Sequence, residues 1–292
     1  MASLASIDIG IIGGSGFYQM EALTNRREIE LDTPFGKPSD AFLVGELGSK
    51  TVAFLARHNR KHNIAPTELN FRANIYAFKM LGARYLISAS AVGSLQQAYA
   101  PTHFVFPDQF IDRTRHRVDT FFGDGIVAHV SLADPICDYL QKVLYEAAVA
   151  NKVTSHLGGT YVCMEGPQFS TRAESHMYRS FGADIIGMTN LQEAKLAREA
   201  EIPYATIAMV TDYDCWHEEE EAVTVDMVLK ILKQNADAAA ATIASAVENI
   251  DLAHANPIHD ALQFAILTSA EHVPAERVEQ LQHIVGKYLN PK

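Results

Sequence analysis

The sequence predicts an α/β protein with a largely parallel sheet, folded as a single domain. Three observations carry that prediction. Short apolar runs, each closed by small or polar residues, alternate with segments of helical spacing along most of the chain. No stretch rich in Pro, Gly or Ser divides it, and it contains no internal repeat. Its 292 residues are 48% hydrophobic and 20% charged, a balance that buries a full core.

Residues 7–12 form a short, mostly apolar run, the pattern of a buried strand, and Gly13-Gly14-Ser15-Gly16 closes it with a tight loop. Residues 41–47 and 51–56 are neighbouring strands joined at Gly48-Ser49-Lys50. Phe71, Ile75, Phe78 and Leu81 share one helical face, and Gly82 stops that helix. Residues 85–90 read as a strand closed by Ala91-Val92-Gly93-Ser94. Beyond them, 136–150 is helical, 160–164 a strand and 172–181 a helix ended by Gly182. Then 183–188 is a strand, 193–201 a helix, 204–210 a strand and 223–247 a long helix. A variable helical tail starts at about 251, its last helix near 275–288.

Lys plus Arg is 24 against 35 Asp plus Glu, and the net charge of −11 argues against nonspecific nucleic-acid or acidic-membrane binding. Any phosphate must therefore meet a local site. Cys137, Cys163 and Cys215 lie far apart with no Cys-x-x-Cys, which disfavours structural zinc and fits a reducing compartment. The N-terminus has no basic region ahead of an apolar stretch, and no apolar run reaches the roughly 18 residues of a membrane helix. These features predict a cytoplasmic protein that binds neither nucleic acid nor membrane.

In open α/β sheets, ligands gather at the carboxyl ends of strands. Ser15, Arg57-His58, Ser90, Met188-Thr189 and the run Thr211-Asp212-Tyr213-Asp214 all fall at such ends. Backbone N–H groups of the glycine loop can cradle a phosphate, or the loop can be a plain turn. It is not the dinucleotide fingerprint, because Gln19 stands where the third glycine is needed, and this disfavours a nicotinamide oxidoreductase. Arg57 at a strand end suits bidentate contact with phosphate, the alternative being a solvated basic turn. Ser15, Arg57, His58, Ser90 and Thr189 together make a mixed anion site.

Asp212 and Asp214 share a face if the backbone is extended. Two such carboxylates repel, so one pKa rises and that residue becomes a general acid. The pair can then donate to a purine ring nitrogen and accept from an exocyclic amine. A metal site or a polar loop is the alternative. Glu218 to Glu221 reads as a solvated acidic lead-in to the next helix. The histidines lack metal-ligand spacing, so no metal is predicted.

Five motifs together resemble the purine nucleoside phosphorylase and methylthioadenosine phosphorylase family. They are Ile-Gly-Ile-Ile-Gly-Gly-Ser-Gly from Ile9, Asp-Thr-Pro-Phe-Gly-Lys-Pro-Ser-Asp from Asp32, and Asp-Gln-Phe-Ile-Asp-Arg-Thr from Asp108. Glu-Gly-Pro-Gln-Phe-Ser-Thr-Arg-Ala-Glu from Glu165 and Thr-Asp-Tyr-Asp-Cys-Trp from Thr211 complete the set. The resemblance runs from about residue 7 to about residue 250. It implies a central mixed β-sheet wrapped by helices, assembled as a homotrimer or a dimer of trimers. It also implies a pentosyltransferase that cleaves methylthioadenosine with phosphate to adenine and methylthioribose 1-phosphate. Inorganic phosphate is then a co-substrate, and no cofactor is needed.

Carried over residue by residue, the resemblance places phosphate at Ser15, Arg57, His58, Ser90, Ala91 and Thr189. Met188 would lie under the ribose, with Phe169 and Ser170 along the base. Asp212 would protonate N7, and Asp214 would hold the 6-amino group. Val225 and Val228 would flank the methylthio group, and His129 and Leu267 would reach the pocket from a neighbouring subunit. Ser170 stands where phosphorylases for 6-oxopurines carry glutamate, which favours adenine. Alternatives are a phosphorylase for methylthioinosine or other purine nucleosides, and a non-catalytic nucleoside-binding protein. The chain departs from the family at Gly187, where asparagine is frequent, at Asn59 for glycine, at Gln192 for proline, and at Ser15 and Ser90 for threonine.

Overall fold

The computed structural model describes residues 6–14, 20, 22–217 and 225–289, with backbone alone for 225–229. Strand β1 (Ile9–Gly13) is buried along its whole length, as its apolar run requires. It is flanked in parallel by β4 (Lys50–Ala56) and β5 (Tyr85–Ser94). On the β4 side the sheet continues antiparallel through β3 (Phe42–Leu47) to β2 (Thr24–Ile29). The latter is an exposed edge carrying Arg26, Arg27 and Glu28, charges that blunt pairing with another chain.

The other half of the sheet branches at β5. Its first residues pair with β1, and its last two, Gly93 and Ser94, pair antiparallel with β10 (Ile185–Gly187). Strands β9 (Thr160–Met164) and β7 (Gln109–Arg113) continue in parallel from β10. Along its other edge β5 carries β11 (Tyr204–Asp212) in parallel. Then follow β6 (Phe104–Phe106), antiparallel, and β8 (Ser155–Leu157). The described residues thus form one sheet of 11 strands. It is mixed, as the family resemblance implies, and less parallel than the alternation alone predicts.

Helix α1 (Phe71–Met80) is capped by the Asn70 side chain, which accepts from the Ala73 N–H at 3.1 Å. It ends at Gly82, whose φ of 81° suits a residue without Cβ. Helix α2 (Asp138–Ala150) follows the pattern, and α3 (Arg172–Ser180) opens on a Thr171–Glu174 capping box. Helix α4 (Asn190–Glu199) starts three residues before the predicted Glu193, and most of its side chains are buried. Helix α5 (Val225–Asn249) is the long one. The final helix is two, α6 (Ala275–Gln280) and α7 (Gln282–Leu289), tied to α1 by the Tyr76 hydroxyl donating to the Gln280 carbonyl at 2.8 Å. Among the described residues no helix is long and apolar enough to cross a membrane.

Candidate active site

Arg57 does not sit in a solvated turn. It is 3% exposed, and its backbone N–H donates to the Gly13 carbonyl at 2.9 Å, which brings the end of β1 to its side. Nor is its guanidinium free for a two-pronged grip on phosphate. Nε and Nη2 bond the two oxygens of Glu193 at 2.5 and 3.2 Å. Nη2 also meets Ser88 Oγ at 2.7 Å, and Nη1 the Ala89 carbonyl at 3.1 Å. One Nη1 proton is left to face an anion. Removing either partner of a buried pair like this strands a charge and costs about 3–5 kcal/mol.

His58 donates through Nδ1 to the Ile64 carbonyl, 2.8 Å away, if the ring is neutral with the proton on that nitrogen. Burial and the neighbouring Arg57 charge push its pKa down to about 4, which keeps the ring neutral at pH 7. The turn that follows has Asn59 at φ 59°, so asparagine does take the left-handed conformation there. Ser90 and Thr189 are buried and both turn toward the fully buried Asn190, with Ser90 Oγ at 2.8 Å and Thr189 Oγ1 at 3.5 Å from its Oδ1. Ser90 and Ala91 lie inside β5, not at its end, because β5 outruns β1 by pairing with β11 and β10. They still lie beyond Ser88, the last residue of β5 registered with β1.

The two aspartates are not i and i+2 of an extended strand. Strand β11 ends at Asp212, its register with β5 shifts between Val210 and Asp212, and Asp214 has φ 52°. The chain folds back so that the Asp214 N–H donates to Asp212 Oδ1 at 2.8 Å. Asp212 Oδ2 accepts from Thr211 Oγ1 at 2.7 Å, and Asp214 Oδ2 accepts from Ser175 Oγ at 2.5 Å. The raised carboxyl of the pair is Asp214, whereas the resemblance gives the acid role to Asp212. Burial is the larger cause, with the nearby Asp212 charge adding to it.

The loop carrying the pair is pinned. Trp216 Nε1 donates to the Ser94 carbonyl at 2.8 Å, and Arg179 lies over the Trp216 ring at 3.5 Å. Cys215 Sγ reaches the Ser170 carbonyl at 3.4 Å, which draws the 165–170 segment to the same place. Phe169 in that segment is 85% exposed, a ring open to a flat ligand. Met188 lies between the two clusters, just past β10, and its carbonyl accepts from the buried Arg117.

His129 and Leu267 fall elsewhere, and together. The Leu267 N–H donates to the Val127 carbonyl and the His129 N–H to the Ala265 carbonyl, each at 2.9 Å. His129 lies near Lys195 and Glu199 beside a hollow of about 270 Å³, at the end of α4 away from Thr189. Phe264 and Leu267 are 88% and 63% exposed there. Ser15 and Glu218 to Glu221 lie outside the described residues, as do the side chains of Val225 and Val228. Among the described residues no three His, Cys, Asp or Glu side chains are grouped for a metal.

The Phosphorylase superfamily model matches residues 8–248. The chain belongs to that superfamily. Its phosphorylase relatives include the S-methyl-5′-thioadenosine phosphorylase of Thermosynechococcus vestitus, 59% identical over 96% of this chain and 99% of the relative. That of Koribacter versatilis is 55% identical over 97% of each. A methylthioadenosine phosphorylase from an antarctic soil metagenomic library superposes with a TM-score of 0.93 at 53% identity, over 96% of this chain and 99% of that one. The Schistosoma mansoni phosphorylase solved with adenine gives 0.82 at 36% identity, over 88% and 96%. The family match ends at 248, but coverage of 96% means that most of the tail is shared with close phosphorylases.

Several residues of these two clusters are not evident from the sequence. Glu193 and Asn190 escape because the spacing begins the helix at Glu193, three residues late. Two serines at i and i+2 in an apolar strand, Ser88 and Ser90, were the available signal for a polar network beneath the sheet end. Ser175 and Gly93 carried no signal at all.

Proposed function

We propose that the protein cleaves 5′-methylthioadenosine with inorganic phosphate, releasing adenine and 5-methylthioribose 1-phosphate. One juxtaposition carries this reading. On β5, Ser90 marks the anion cluster, while Gly93 is registered with Asp212 of the acid pair. They are three residue steps apart along the strand, about 10 Å, room for a pentose between phosphate and purine. Relatives matched over nearly the whole chain bear the same function in their names.

The chemistry follows from charge. Breaking C1′–N9 leaves the pentose electron-poor and sends the bonding pair into the purine. Phosphate attacks C1′ to form the new C–O bond, and its negative charge offsets the developing cation. Thr189 and the spare Arg57 proton hold it, with His58 alongside, while the Ser90 hydroxyl donates to Asn190 Oδ1 and orients that amide. The departing purine takes one proton at N7 from the aspartate pair. Fixed charge of this kind supplies several kcal/mol, about 3 or more per aligned donor, so no resident cofactor is required.

Burial, with the nearby Asp212 charge adding to it, favours the protonated form of Asp214 in the free protein. An adenine 6-amino group donating to Asp214 stabilises its charged form and leaves Asp212 as the donor to N7 in this reading. A 6-oxo group is an acceptor and cannot do this. His129 and Leu267, exposed together with Phe264, complete a neighbour's pocket in a trimer or dimer of trimers. Three unpaired thiols suit a cytoplasmic setting.

A Cβ on Gly93 would stand 3.1 Å from Asp212 Oδ1 and 3.0 Å from the Ile186 side chain. Gly93→Ala therefore displaces the acid, and kcat should fall roughly tenfold or more with the phosphate KM unchanged. The reading itself is tested by purine release from methylthioadenosine, adenosine and methylthioinosine, with and without phosphate. Phosphate-dependent release, fastest from methylthioadenosine, is the expected result. Fastest release from methylthioinosine would overturn the assignment of Asp214.

A further inference from the structure

Proton accounting around Asn190 fixes which way its amide faces. Ser88 Oγ and Tyr204 Oη each donate to Glu193 Oε2, at 2.9 and 3.0 Å. Glu193, paired with Arg57, offers only lone pairs. The protons of both hydroxyls are committed there, so their oxygens meet Asn190 as acceptors, each 3.0 Å from Nδ2, and Thr206 Oγ1 lies 2.6 Å from the same nitrogen. Oδ1 must then face the opposite group. Ser90 Oγ at 2.8 Å and Tyr161 Oη at 3.0 Å fill its lone pairs, and Thr189 Oγ1 at 3.5 Å is left without a firm partner.

Tyr161 is fixed in the donor role. Burial pushes its pKa up, so it keeps its proton, and its oxygen also meets the Thr189 backbone N–H. The hydroxyl has room only because residue 187 is glycine. A Cβ there would lie 1.9 Å from Tyr161 Oη. The departure from the family's frequent asparagine at this position is therefore occupied by a tyrosine hydroxyl.

We propose that Tyr161, acting through Asn190, is a positioning residue for phosphate. By filling the amide oxygen it leaves the Thr189 hydroxyl proton free to be donated to the anion. This rests on the phosphate-site reading given above. Without the Tyr161 hydroxyl, Thr189 turns to Asn190 and its proton is lost to phosphate.

The test is a cycle of Tyr161→Phe, Thr189→Val and the double variant, with phosphate KM, nucleoside KM and kcat measured for each. Thr189→Val should raise phosphate KM about 10- to 100-fold, the effect of losing a hydrogen bond to a charged group. Tyr161→Phe should raise phosphate KM about threefold to tenfold, leave nucleoside KM unchanged, and add nothing in the double variant. Gly187→Ala, which displaces the same hydroxyl, should move phosphate KM in the same direction. Additive effects in the double variant, or a Tyr161→Phe change in kcat or nucleoside KM without one in phosphate KM, would overturn the proposal alone. An unchanged phosphate KM in Thr189→Val would instead overturn the phosphate-site reading.

Discussion

Asp212→Asn should lose turnover on methylthioadenosine by a factor of about 10² to 10⁴, the usual contribution of a positioned general acid. The amide matches the carboxyl in size and can still accept the Asp214 N–H through its carbonyl. It has no proton of suitable acidity to give to N7, so the purine must depart as an anion. Phosphate affinity, measured by calorimetry on the same variant, should remain near that of the parent. The anion cluster rests on Arg57, Glu193 and Asn190, none of which bonds to Asp212. Loss of phosphate affinity together with turnover would mean that the pair holds the site open and does not act as the acid.

Asp214→Asn should change substrate preference. An amide can donate to a 6-oxo group, and it no longer gains by accepting from a 6-amino group. The ratio of kcat/KM for methylthioinosine over methylthioadenosine should rise, on the order of 100-fold, as unpaired buried polar groups are exchanged for paired ones. An unchanged substrate ratio would contradict the assignment of Asp214 to the 6-amino group.

These predictions use residues that were legible in the sequence at different depths. The strand containing Ile9 and Ile11 and the helix containing Phe71, Ile75 and Phe78 were visible because burial imposes a period on apolar residues. The edge strand Thr24–Ile29 was not, because one facing solvent is free to be polar. The Asp212 and Asp214 pair was visible as chemistry, but its shape was not. A register shift and a left-handed Asp214 replace the extended geometry that spacing suggests. Arg57 was visible as a cation, whereas its counter-ion Glu193 lies 136 residues away along the chain and only the fold brings them together. The roles of His129 and Leu267 came from resemblance alone. The single chain places them together beside one isolated bridge, Ala128 to Ile266, away from the two clusters.

The central claim is that phosphate is the acceptor of the pentose. Phosphorus NMR of the protein with methylthioadenosine and inorganic phosphate tests it directly. A sugar phosphate ester resonance should grow at the expense of inorganic phosphate, in step with adenine measured in the same sample. Adenine appearing while the inorganic phosphate resonance stays constant would show water as the acceptor and contradict the account.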